Sequence, residues 1–276
     1  MLEFLEKVLW ATMPLPPLYG WFHLLMAGLF VAGCALVIVF RKKIDERRFR
    51  ILTACLLGVM VFLEIIKQIV LGFGSLREYT GYGWYVFPFQ FCSSPYYVWP
   101  FVLFVKNERI KKCLYAFVGT YSLFGGLVNM IYPGDILTVF TWINIQTTIH
   151  HGSMMLLGVA AYACGLVESK LKAILDATAV FGILLVIAMI LNESMVSVVD
   201  GQTFNMFFIS RHYPCSLPVL SLFWTGSPET SLVPYPVFLL VYIFGFMLIA
   251  AILWAIPQGI ARLANKVKHR THRVNN

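Results

Sequence analysis

Long uncharged stretches separated by short polar joints dominate the pattern of this chain. Apolar runs at about 18–40, 49–72, 84–105, 110–132, 139–166, 171–192 and 232–257 are long enough, or nearly so, for membrane spans. A helix rising ~1.5 Å per residue needs ~20 residues to cross a ~30 Å hydrocarbon core. Backbone amides in lipid must be satisfied within the chain, so such runs read as helices. The pattern therefore predicts an all-α fold, a polytopic transmembrane helical bundle of about seven membrane helices. Ahead of the first run, MLEFLEKVLWATMPLPP lacks the basic start and small-residue cleavage site of a secretory leader. It reads as an interfacial amphipathic segment over residues 1–17. One membrane domain follows over 18–262, without internal repeats, and then a basic tail at 263–276. The joint at 193–231, with Asn205, Arg211, His212, Cys215 and Trp224, is longer than a bundle connection requires. It fits either a lid or re-entrant plug over the bundle mouth, or an ordinary surface loop.

Composition removes the soluble alternative: 59% of residues are hydrophobic, 12% are charged, and mean hydropathy is +0.78. A net charge of +8 would admit nucleic acid as a partner, but the position of the charges argues otherwise. Arg41, Lys42, Lys43, Arg47, Arg48 and Arg50 fill one short joint. Lys106, Arg109, Lys111 and Lys112 fill a second, Lys170 and Lys172 a third, and the tail is basic as well. Only Lys7, Arg77 and Arg211 lie at the opposite ends of the spans. By the positive-inside rule the N-terminus is outside and the C-terminus cytoplasmic, as expected of a multi-pass protein of the cell membrane. The six cysteines show no CxxC spacing, so neither a zinc site nor a disulfide framework is indicated, and no motif calls for a cofactor.

The polar residues inside the spans gather toward one end. Glu64, Lys67 and Gln68 share a face of the second span. Cys92 in the third, Asn129 in the fourth, Gln146, His150 and His151 in the fifth, Asn192 in the sixth and His23 in the first all fall in the outer half. Ionisable groups are costly in hydrocarbon and normally face a bundle interior or a watered cavity, which predicts an outward-opening polar pocket. The alternative is a local Glu64–Lys67 pair with the amides as interhelical hydrogen-bond glue.

The third span, WYVFPFQFCSSPYYVWPF, carries Pro88, Pro95 and Pro100. Pro95 has no N–H for the carbonyl of Phe91, so a kink is expected beside Cys92. The fifth span, INIQTTIHHGSMML, places its adjacent histidines about 100° apart at a depth within about one turn of Cys92. A thiol and an imidazole at matched depth are the minimal parts of a covalent acyl-transfer site. Cys92 as a small packed hydrophobe, a Cys92–Cys215 disulfide and metal binding by the histidines are the competing readings. No third metal ligand follows the histidines at a recognisable spacing.

FPFQFCS at 87–93, Ile149-His150-His151-Gly152 and the stretch from NMFFISR to GSPETSLVPYPVF within 205–238 resemble the YwaF-like integral membrane proteins, a family to which transmembrane protein 164 is related. The resemblance spans most of the chain in order. It implies a lipid acyltransferase-like protein in which Cys92, with His150 or His151, moves a fatty acyl group between lipids. In place of the family histidine two positions before the cysteine, this chain has Gln90. The expected function is thus a phospholipid acyltransferase or transacylase acting through an acyl-cysteine, with phospholipids or lysolipids as partners. Cys92, His150 and His151 are the expected catalytic residues, with His150 the preferred base. Glu64, Lys67, Gln90, Asn129, Gln146 and Asn192 are expected around the substrate, with no metal and no cofactor. A lipid ester hydrolase, and a carrier or transporter using Glu64, Lys67 and the histidines as a proton relay, are the alternatives.

Overall fold

The computed structural model describes residues 2–74, 81–134, 136–199 and 201–274, the last eleven as backbone only. Arg77 and most basic side chains of the tail therefore lie outside the described residues. Helix α1 (Leu2–Leu9) is followed by α2 (Trp21–Phe40) and α3 (Glu46–Lys67), which ends in a π-helical turn over Gln68–Gly72. Next come α4 (Pro95–Phe104), α5 (Glu108–Phe117), α6 (Leu123–Ile131), α7 (Thr141–Ala163), α8 (Lys172–Met195) and α9 (Tyr235–Val274). A π turn over Val118–Ser122 joins α5 to α6 as one span. Five spans among the described residues are long and apolar enough to cross a membrane: Trp21–Lys43, Glu46–Gly72, Glu108–Ile131, Lys172–Met195 and Tyr235–Ile260. The chain is thus a helical membrane bundle. The last helix does not end near residue 257 but runs through Pro257 to Val274.

Helix α7 is the centre of the bundle, packed against α2, α3 and α6. Its polar residues are tolerated because they are shielded from lipid: Asn144, Gln146, Thr147, Thr148, His150, His151 and Ser153 are all buried. Gly126 lets α6 approach it; a Cβ there would sit 2.5 Å from the Met155 nitrogen and 2.6 Å from the His151 carbonyl oxygen.

The third span departs from the expected kinked helix over 84–105. Only Pro95–Phe104 is α-helical, ten residues or about 15 Å, and residues 84–94 are irregular apart from two short 3-10 turns. The reason lies with the prolines. Pro95 occupies the first turn of α4, where its missing N–H is no loss, so it begins a helix instead of kinking one. The Phe91 carbonyl accepts from the Ser94 N–H at 3.2 Å. Irregular backbone inside a membrane protein survives only when side chains complete its hydrogen bonds. Gln68 donates to Val86 O (2.9 Å), Tyr97 to Pro88 O (2.7 Å) and His150 to Cys92 O (2.7 Å). Phe91, next to Cys92, is anchored against Phe246 of α9 and Phe181 of α8.

Two ends of the bundle differ. The basic joints share one end, where Arg109 makes a two-pronged bond to Asp176 (2.7 and 2.6 Å), Lys111 pairs with Glu46 and Lys112 with Glu168. At the other end the long joint after α8 folds back into the bundle: Phe204, Met206, Phe207 and Ile209 are at most 1% exposed. Phe207 and Phe208 have φ of +58° and +55°, uncommon for residues with a Cβ. The surrounding side chains hold that backbone. Asn192 bonds both main-chain groups of Met206, Gln90 bonds Phe207 N and Asn205 O, and Tyr242 donates to Phe207 O. At this end, too, α1 is tied down by a bond from the Trp142 indole to Val8 O and by the Thr12–Phe140 bridge.

Candidate functional site

A cavity of about 350 Å³ lies between α3, α7 and the irregular segment before α4. Glu64, Lys67, Gln90, Cys92, Gln146, His150 and His151 all line it, so seven of the nine residues expected at a site converge. The local causes are the i, i+3 spacing of Glu64 and Lys67 on α3, the adjacent histidines of α7, and the helix break that presents Cys92.

Two residues are not there. Asn129 donates to Gly125 O of its own helix, four residues back, at 2.9 Å. Asn192 is 1% exposed and both ends of its amide are engaged by Met206 (3.0 and 2.7 Å). Neither lines the cavity: each amide is taken up by backbone that its own fold leaves open. Gln90 is at the cavity edge, but its amide is committed to Asn205 O and Phe207 N, both at 2.9 Å. It acts as a tie between two irregular segments.

Glu64 is 8% exposed and is surrounded by donors, Lys67 at 2.8 Å and Gln68 at 2.6 Å on Oε1 and Gln146 at 3.0 Å on Oε2, with the Tyr96 oxygen in contact at 3.1 Å from Oε2. That shell stabilises a buried carboxylate. In the sequence Tyr96 passes for a packing aromatic. Its i, i+4 offset from Cys92 was the available signal.

The histidines divide their roles by hydrogen bonding. Nε2 of His150 is 2.7 Å from the Cys92 carbonyl, which can only accept, so this nitrogen carries the proton. In the neutral ring Nδ1 then accepts the Tyr96 hydroxyl at 2.9 Å. Both nitrogens of His150 are spent on holding the backbone of the Cys92 turn. His151 donates from Nδ1 to Thr147 O at 2.8 Å, which leaves Nε2 as a bare acceptor. Among the described residues Nε2 of His151 has no hydrogen-bond partner, and the Cys92 thiol bonds neither imidazole. The two rings lie 5.1 Å apart. Cys92 is half-buried, and all six cysteines are free thiols. No group of three His, Cys, Asp or Glu among the described residues is arranged to hold a metal.

Fold and site together define a polytopic helical membrane protein with a polar chamber at a discontinuous span, faced by a cysteine and two histidines. Over residues 18–256 the sequence matches the model of the TMEM164 family, and the chain belongs to that family. No curated protein and no solved structure matches it.

Proposed function

We propose that this protein is a phospholipid acyltransferase or transacylase of the cell membrane that works through an acyl-Cys92 intermediate, with His151 as general base and acid. The observation that carries this reading is the pairing, in one cavity, of a free thiol at a broken span with an imidazole nitrogen that has no other partner. Cys92 lies just before the first turn of α4, where the positive end of the helix dipole favours the oxyanion formed when sulfur attacks a carbonyl.

In the first half-reaction Nε2 of His151 takes the thiol proton and sulfur attacks the ester carbonyl of a glycerophospholipid. The C–S bond forms, the C–O bond to glycerol breaks, and the leaving oxygen takes the proton from His151. A lysolipid hydroxyl then gives its proton to His151 and attacks the thioester; the C–S bond breaks and the proton returns to sulfur. His150, bound to Cys92 O and backed by Tyr96 and Glu64, is the positioning residue of this scheme. Lys67, paired with Glu64 at 2.8 Å, lines the cavity and places a cation beside a phosphate head group. With the basic joints at the opposite end of the bundle, the positive-inside rule opens the cavity toward the non-cytoplasmic leaflet.

The test is acyl transfer by purified protein in nanodiscs, with an isotope-labelled donor chain followed by mass spectrometry. Wild type should move label to a lysolipid acceptor and carry a thioester on the Cys92 peptide. Cys92→Ala should do neither, and full transfer by that variant removes the mechanism. Labelled free fatty acid without acylated acceptor would instead identify a hydrolase.

A further inference from the structure

On the far side of Glu64 from the Cys92 cavity, a second hollow of about 400 Å³ faces the lipid. Val61, Ile65, Ile69 and Phe73 of α3 and its extension form one side, and Pro88 and Tyr97 of the broken third span the other. Ile65 is 55% exposed on this membrane-facing surface. Glu64 lines both spaces, so the wall between them is one layer of side chains thick.

We propose that this groove is the lateral entry and binding site for the acyl chain of the lipid that acylates Cys92. The inference rests on Cys92 as the acyl acceptor and adds where the chain lies. The cavity has apolar walls too, at Leu71, Val86 and Ile143, but a long acyl chain in it would lie against Glu64, Lys67 and Gln146 and displace their water, whereas the groove wall is almost wholly apolar. The groove offers apolar walls open to the bilayer from which the lipid comes, and meets the cavity at Glu64. Its latch is Gln68, whose amide bonds Val86 O at 2.9 Å and Glu64 at 2.6 Å and receives the Tyr82 hydroxyl at 2.5 Å. Gln68 opens the π-helical turn of α3, a local widening of the helix of the kind found at functional sites. Release of the Gln68–Val86 bond parts α3 from the irregular segment and joins groove to cavity.

Thiol alkylation tests this without requiring turnover. The full-length protein in nanodiscs is treated with iodoacetamide or with its N-hexadecyl derivative, and modification of Cys92 is followed by peptide mass spectrometry. Filling the groove by Ile65→Trp, and separately by Val61→Trp, should slow the long-chain reagent at Cys92 by at least about tenfold, the loss expected when two or more chain methylenes lose an apolar site. Iodoacetamide itself should be unaffected, and Gln68→Ala should speed the long-chain reagent. Equal slowing of both reagents, or of neither, overturns the proposal, as does a change of oligomeric state in the filled variants, which would make the groove a protein contact. A wild-type protein that alkylates with this chain-length pattern yet forms no acyl-Cys92 from phospholipid would separate failure of the catalytic reading from failure of the groove.

Discussion

The two asparagines that lie away from the cavity offer a quantitative comparison. Replacing Asn192 by Leu, of similar size, leaves the N–H of the fully buried Met206, bonded at 2.7 Å, without a partner and takes from its C=O the 3.0 Å donor, so that only the Ile209 N–H at 3.4 Å remains. The unpaired N–H costs ~1–3 kcal/mol and the bond lost at the carbonyl ~0.5–1.5 kcal/mol, so the folded-back segment should lose ~1.5–4.5 kcal/mol of local stability. At ~1.4 kcal/mol per factor of ten, amide hydrogen exchange over 204–210 should rise between roughly tenfold and a thousandfold. Asn129→Leu removes one bond from a half-buried side chain to Gly125 O of its own helix, and should cost no more than ~0.5 kcal/mol. Hydrogen exchange with mass spectrometry on both variants in detergent makes the measurement, with α7 peptides as the internal reference. If Asn192→Leu leaves 204–210 as protected as wild type, the amide tie is not what holds that strained backbone, and the explanation of its positive φ values fails with it.

Under the acyl-transfer reading, His151→Ala should lower kcat by about 10²–10⁴-fold, the range for loss of a general base. Tyr96→Phe should lower it only about 5- to 100-fold with little change in KM, because it orphans Nδ1 of His150 and loosens the Cys92 turn without touching substrate. Steady-state assays of both variants decide this, and a larger loss in Tyr96→Phe would reverse the assignment of base and positioning residue. Gly126→Ala drives a methyl group against the backbone of α7 at Met155 and His151, and should cost ~1–3 kcal/mol and impair activity; thermal inactivation rates compared with Gly28→Ala, where a Cβ meets nothing within 4 Å, supply the check. At the basic end, Lys112 at 2.6 Å holds the Glu168 carboxyl below the usual carboxylate range. That tie contributes above the ordinary carboxylate pKa and is lost as pH falls through the lowered value, so protection of the 164–171 joint should drop in acid, and Glu168→Gln should abolish the pH dependence.

Residue types alone determined that this is a helical membrane bundle, because partition into lipid and helix formation depend on the composition of each run and on satisfying its own backbone. The same local rules brought Glu64, Lys67, Gln146, His150, His151 and Cys92 to one end of the bundle, and all of these line the cavity. Hydrogen-bond partners are a different matter, since they are supplied from far along the chain. Gln90 finds Asn205 across 115 residues and His150 finds Cys92 across 58. Only the folded chain could show that Pro95 starts a half-length helix, that Asn192 and Gln90 are structural ties, that Tyr96 joins Glu64 to His150, and that His151 keeps the unengaged nitrogen. A sequence reports which polar groups must be satisfied inside a membrane; which of them remain free for chemistry is decided by the partners that tertiary packing brings within reach.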